Sequence, residues 1–219
     1  VFLINIVLAS SWNLLGGSMG YYSLGHAGFF GLGASVTALA ARELTIYPPL
    51  ATFVGAAVAV CFAVVVGYAC LRLTGDYFAI ATLGLAIVIA VVAREPSLGM
   101  WVVVIPKWQP LPPLTLTIHF AYASLVALAL GTVMLTRTIS RSKFGYTLAA
   151  IRDDETVAKT LGIPTFRYKM AALMISSLIV GLAGGIYAQY IGSVAAEGIF
   201  NLRYSFFPVI MALIGGIHD

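Results

Sequence analysis

RTISRSKFGYTLAAIRDDETVAKTLGIPTFRYK, residues 137–169, is a polar island in an otherwise apolar chain. It holds seven of the twelve basic residues (Arg137, Arg141, Lys143, Arg152, Lys159, Arg167 and Lys169) and three of the eight acidic ones (Asp153, Asp154 and Glu155). Elsewhere charge is confined to isolated residues, mostly at the edges of hydrophobic runs. A charged stretch of this length between apolar runs has to sit in water, and its Lys/Arg excess places that water on the cytoplasmic side by the positive-inside bias. The loop is therefore where a soluble partner is expected.

Only 9% of the 219 residues are charged and 61% are hydrophobic, with a mean hydropathy of +1.00. A soluble domain carries about a quarter charged residues. The apolar runs approach the ~20 residues that cross a bilayer as helix, and they do not alternate as barrel strands do. The expected fold is all-α, a polytopic integral membrane protein. Its net charge of +4 follows from the loop and calls for no nucleic-acid partner. The whole of 1–219 reads as one transmembrane domain, with 139–167 as a cytoplasmic loop inside it. The chain begins within one apolar run and stops just after another, so it reads as part of a longer chain.

Seven hydrophobic segments are expected, at roughly 1–17, 22–41, 49–73, 77–94, 119–138, 168–191 and 204–217. With 139–167 inside, simple alternation places Val1 and the 42–48 and 95–118 connections outside, and Thr74–Asp76 and Asp219 inside. The second and last segments are short or glycine-interrupted, as half-helices or re-entrant pieces buried in protein are. The outside loop holds Pro96, Pro106, Pro110, Pro112 and Pro113 with Trp101 and Trp108. Proline stops helices and Trp favours the interface, so an interfacial cap is expected there. Cys61 and Cys70, nine residues apart on one helix, stand about 13 Å apart along the axis and cannot bridge each other.

Residues 13–33, NLLGGSMGYYSLGHAGFFGLG, are the second notable stretch. They lack the preceding strand and the Lys-Ser/Thr ending of a phosphate loop. Two readings remain: tight helix packing through small residues such as Gly28 and Gly31, against Gly181, Gly184 and Gly185, or a broken helix beside a central path. Gly25, His26, Gly28, Phe29, Gly31, Tyr77 and Phe78 are the candidates for that packing or path. An imidazole among glycines is more often hydrogen-bonded to a neighbouring helix than part of a relay, and no carboxylate lies within a span to complete one. His119 and His218 fall at segment ends. No metal-ligand cluster and no nucleophile–base pair stands out, so no catalytic residue is expected. Asp76 is placed to cap the helix that follows it.

Within the island, Phe144, Leu148 and Ile151 recur at the spacing of one helical face. Asp153 or Asp154 can cap a second short helix, with Glu155 at its positive end. Val157, Ala158 and Leu161 are expected to share a face, before Gly162 and Pro164 stop the helix. Such amphipathic helices lie on a membrane surface or in a partner's groove.

GYYSLGHAGFFGLGA (20–34), GDYFAIATLGLAIVI (75–89) and SKFGYTLAAIRDDETVAKTLGIPTFRYKMAALMISSLIVGLAGGIYA (142–188) resemble the membrane permease subunits of branched-chain amino acid ABC importers, in the same order over most of the chain. The longer outside loop is similar to that of one subunit type. The resemblance implies a coupling element that docks into an ATPase subunit, carried by Gly145, Ala149, Arg152, Asp153, Leu161 and Gly162 with Asp154, Glu155, Val157 and Ala158 between them. It further implies a second, homologous permease, two cytoplasmic ATPase subunits, a soluble binding protein and a place in the inner membrane of a prokaryote. ATP would be bound by the partners, and this chain would bind no cofactor and catalyse nothing. Leucine, isoleucine or valine is the implied cargo, with urea or a short amide as the alternative carried by similar permeases. The family's Gly-rich, Thr/Ser-containing outer stretch is replaced here by EPSLGMWVVVIPKWQPLPP (95–113). VIMALIGGIHD (209–219) resembles the start of a further Gly-rich motif, after which another span is expected. The rivals are a self-sufficient secondary transporter or channel, and a structural membrane subunit with no pathway.

Overall fold

The computed structural model describes residues 2–44, 47–73, 75–95, 102–105 and 114–215. In chain order its elements are α1 (Phe2–Met19), α2 (His26–Glu43), α3 (Pro48–Cys70), α4 (Asp76–Ala93), β1 (Val102–Val104), α5 (Leu114–Ser140), α6 (Lys143–Asp153), α7 (Glu155–Thr160), α8 (Thr165–Ile191), β2 (Ser193–Ala195), α9 (Ala196–Ile199) and α10 (Arg203–Gly215). The protein is all-α and polytopic. Among the described residues six stretches are long and apolar enough to cross a membrane: Phe2–Met19, Pro48–Cys70, Asp76–Ala93, His119–Ser140, Thr165–Ile191 and Ala196–Gly215.

The expected second segment forms a helix but is not one of the six, and its surroundings explain why. α2 packs against both α3 and α8, which also pack on each other, and it is buried along most of its length. A helix enclosed by protein needs small residues for close approach rather than large apolar ones for lipid. Gly33 meets Gly181 on α8 so closely that a Cβ on Gly33 would overlap the Gly181 backbone. One face of α2 is thereby locked to α8, while Gly28 lies against Ala86 and Ile89 of α4 and Gly31 against the ring of Phe200.

The chain between α1 and α2 is not helical. Gly20 turns it with φ +73°, and residues 20–25 run without regular structure to the first turn of α2. Irregular backbone inside a membrane protein needs partners from within the protein, and it has them here. Trp12 Nε1 donates to the Ser23 carbonyl at 2.9 Å, and the Leu24 N–H donates to Thr82 Oγ1 at 3.1 Å. The segment 13–33 packs tightly, as the first reading expects, and it also contains a break between α1 and α2.

A second departure from simple spans lies beyond α8. Gly192, with φ +75°, caps α8, β2 pairs antiparallel with β1, and α9 leads to Phe200 beside Gly31. α10 then starts next to the start of α2, with Tyr204 stacked on Phe30 at 4.5 Å between ring centres. Of the expected outside loop, β1 forms a strand and α5 already begins at Leu114; Pro96, Trp101, Pro106, Trp108, Pro110, Pro112 and Pro113 lie outside the described residues, as do Val1, Thr74, His218 and Asp219. Cys61 and Cys70 are unbridged.

Asp76 does not cap α4 through its side chain. Gly75, at φ 59° and ψ −133°, holds the cap position, and Asp76 stands in the first turn. Its carboxylate is left to act on the positive end of the helix by charge alone.

Candidate functional site

The polar island folds as the sequence indicates, into two short helices joined by a sharp corner. Ser142 caps α6 by accepting the Gly145 N–H at 3.3 Å. Gly145 nests against the end of α5, where a Cβ would collide with the Ile139 carbonyl. Leu148 and Ile151 are buried and Phe144 packs on Tyr168 of α8, so this face of α6 is pressed on the transmembrane bundle. Ala149 is half-buried beside it. Asp154, not Asp153, caps α7: its Oδ1 accepts the N–H groups of Thr156 at 2.7 Å and Val157 at 3.0 Å. Asp153 ends α6 beside Arg152, 3.5 Å away. Gly162 closes the motif with φ +82°.

The shared face of Val157, Ala158 and Leu161 is split in the structure. Ala158 is 2% exposed and packs inward, whereas Val157 and Leu161 are 52% and 75% exposed. Residues 157 and 158 are about 100° apart around a helix, while 157 and 161 nearly coincide. The outward apolar face is Val157 with Leu161, and Tyr146 on α6 is exposed as well.

Beneath α7 lies an ionic cluster whose partners were not evident from the sequence. Lys169, on the first turns of α8, is 2% exposed. Its ammonium donates to Glu155 Oε1 at 2.7 Å, to the Tyr21 hydroxyl at 2.9 Å and to the Leu71 carbonyl at 3.5 Å. Tyr21 in turn donates to Glu155 Oε2 at 2.7 Å. Thr165 Oγ1 donates to Glu155 Oε1 at 3.2 Å, and Lys159 lies 2.9 Å from the same oxygen. Burial on its own would raise the Glu155 pKa; hydrogen bonds from Lys169, Tyr21 and Lys159 outweigh it and hold the carboxyl down at about 2. Removing one partner of such a buried pair costs about 3–5 kcal/mol, because the other charge is left uncompensated.

A second tie joins the same regions. Arg152 Nη1 donates to the Gly17 carbonyl at 2.9 Å, and the Arg152 side chain covers Gly20, where the helix break begins. The sequence signal for the cluster is faint. Lys169 is the second residue of the 168–191 apolar segment, at its polar end, and a basic residue there ordinarily snorkels to water.

The intramembrane candidates divide into two groups. His26 is buried at the start of α2, with Nε2 3.2 Å from Ser176 Oγ. Ser176 and Ser11 are joined Oγ to Oγ at 2.9 Å. This is the bond to a neighbouring helix that the sequence favours. Gly25, Gly28 and Gly31 are buried too, and Phe29 and Phe78 belong to the main hydrophobic cluster, with Phe78 edge-on to Tyr21. Tyr77 stands apart from them at 72% exposure. Among the described residues no group of three His, Cys, Asp or Glu side chains could hold a metal ion.

The comparison with known sequences agrees with this architecture. The model for the branched-chain amino acid transport system permease component matches residues 1–218. The chain belongs to that family. Among its relatives is the high-affinity branched-chain amino acid transport system permease protein LivM of Salmonella typhimurium, 26% identical over 98% of this chain and 57% of the relative. LivM of Escherichia coli is 25% identical over the same shares. A nucleoside ABC transporter permease protein, NupC of Lactococcus lactis, is 30% identical over 31% of this chain and 23% of its own length. The chain thus spans little more than half the length of the two LivM relatives. No solved structure is significantly similar to it. Family membership and six apolar helices make this permease-family chain a multi-pass membrane protein.

Proposed function

We propose that the chain is the membrane permease subunit of an ATP-driven importer for branched-chain or other neutral amino acids, in the inner membrane of a prokaryote. The observation that carries this reading is the α6–α7 motif. Its inner face is bonded to the transmembrane helices, and its outer face presents Val157, Leu161 and Tyr146 beside basic residues. A cytoplasmic ATPase subunit is the partner that such a face fits, because small apolar helices at a membrane surface are best buried in a partner's groove. Gly145, Ala149, Arg152, Asp153, Asp154, Glu155, Val157, Ala158, Leu161 and Gly162 form this coupling element. The subunit pairs with a second homologous permease and receives cargo from a soluble binding protein. ATP is bound and hydrolysed on the partners, and coupling of the two sites runs through a shared conformational equilibrium.

The family and the LivM relatives support this cargo. Away from the Lys169–Glu155 cluster, buried Phe29, Phe30 and Phe78 with many small residues make an uncharged interior, which suits a cargo without strong net charge. The test is reconstitution with the ATPase subunits and binding protein of its own gene neighbourhood. Leucine, isoleucine or valine should raise ATP hydrolysis and enter the vesicle. A chain that transports with no ATPase subunit present would return the secondary-transporter reading.

A further inference from the structure

The coupling motif faces a partner on one side, but an importer also needs a route from that motif to the part of the membrane domain that moves. α7 is a helix of two turns capped at both ends. Its first residue, Glu155, reaches past its own helix to the α1–α2 connection and to α8. Through Tyr21 it grips the connection between α1 and α2; through Thr165 and Lys169 it grips α8; and Lys169 carries the contact on to the Leu71 carbonyl at the end of α3. Tyr21 is the only one of these partners in the helix break, four residues before Gly25 at the start of α2.

From Tyr21 the contacts continue. Its ring meets Phe78 edge-on, with centres 5.3 Å apart. Thr82, one turn further along α4, accepts the Leu24 N–H. Arg152 holds Gly17 and covers Gly20 at the other end of the same connection. The break is thus fastened to the coupling loop at Gly20 and Tyr21, with Gly17 in the last turn of α1 held beside it, and to α4 at Phe78 and Thr82. A six-residue segment without helical hydrogen bonds can change backbone angles more readily than the helices flanking it, which is how hinges work.

We propose that the Glu155–Lys169–Tyr21 cluster is the link that transmits movement of the coupling helices to the 20–25 hinge, and so to the intramembrane start of α2. The link rests on the coupling role proposed above. Tyr21 and Lys169 act as positioning residues: they touch neither nucleotide nor cargo. A hydroxyl bonded to both members of a buried ion pair has one low-energy geometry. Displacement of Glu155 therefore either drags Tyr21 with it or breaks two charge-assisted hydrogen bonds.

The experiment is a measurement of cargo molecules imported per ATP hydrolysed, in proteoliposomes containing the assembled importer. Tyr21→Phe removes one hydroxyl and keeps the ring against Phe78. Lys169→Met keeps the stem and removes the charge. The expected result is that complexes of Tyr21→Phe assemble and hydrolyse ATP while import per ATP falls tenfold or more, with Lys169→Met at least as severe. A purely structural role would lower the amount of complex without changing that ratio. An unchanged ratio in Tyr21→Phe overturns the link, whether or not Lys169→Met assembles. The two readings fail separately. Wild-type coupling with an unaltered variant ratio sinks only the link, whereas a wild-type chain that never engages an ATPase subunit sinks the coupling role and the link with it.

Discussion

The hydroxyl of Ser205 accepts the backbone N–H of Ala27 at 2.9 Å, joining the first turn of α10 to the first turn of α2 across 178 residues of sequence. Two helices therefore begin side by side inside the protein. One helix supplies a cap that the other lacks, since Gly25 has no side chain to cap α2. Ser205→Ala would leave a buried N–H unsatisfied, at a cost of about 1–3 kcal/mol. A lower melting temperature for the purified detergent-solubilised protein is expected; Ser205→Thr, which keeps the hydroxyl, should recover part of the loss. No shift with Ala would contradict the contact.

The α2–α8 interface makes a sharper contrast between two glycines. At Gly33 any side chain meets the Gly181 backbone, while at Gly84 nothing lies within 4 Å of a new Cβ. Gly33→Leu should overpack the core by well over the ~1–3 kcal/mol of an ordinary insertion, and little folded protein should be recovered from membranes. Gly84→Ala should be neutral, or stabilise by up to about 1 kcal/mol through helix propensity. Equal yields of the two variants would show that α2 and α8 are not so close.

The split face of α7 separates docking from folding. Val157→Glu and Leu161→Glu alter exposed positions and should leave the protein in the membrane at normal levels while abolishing cargo-stimulated ATP hydrolysis. Ala158→Glu buries a charge against the bundle and should instead reduce the amount of folded protein. Cross-linkers placed at 157 and 161 should reach an ATPase subunit, and persistent failure to do so would remove the docking assignment.

Acid sensitivity follows from Glu155. Its folded pKa, about 2, lies below the ordinary value of 4.5. A group depressed on folding contributes stability that is complete above its unfolded pKa and fades as pH falls through the folded one. The contribution of the pairing with Lys169, Tyr21 and Lys159 is therefore complete above about 4.5 and lost between there and about 2. Melting temperatures recorded from pH 7 down to pH 3 should decline more steeply for wild type than for Glu155→Gln. Parallel curves would argue against an ionised Glu155 in the cluster.

Cargo choice is open to competition. Uptake by the assembled importer should be inhibited by leucine, isoleucine or valine. Nucleosides test the lesser similarity to the Lactococcus lactis permease, and urea or short amides test the remaining alternative. Strong uptake of a sugar or a phosphate ester, untouched by neutral amino acids, would refute the proposed cargo class.

The sequence by itself determined the membrane class, the seven segments and the two-helix motif at 143–160, because these depend on local quantities. Length of apolar run, charge clustering, an Asp at a helix start and Gly162 at its end are legible from neighbours in the chain. The helix break was readable as one of two options, since glycine permits both close packing and irregular backbone. What only the tertiary structure decided was who meets whom. Ala158 is buried and Val157 exposed because the bundle lies beneath one of them and not the other. Asp76 yields its capping role to Gly75, whose backbone angles already hold that position. Lys169 and Tyr21, 148 residues apart, are an ordinary boundary lysine and an ordinary tyrosine in the sequence. They become a buried ionic link with Glu155 only when the α1–α2 connection, α7 and α8 converge, because the pairing energy of a desolvated charge depends on partners that no local pattern records.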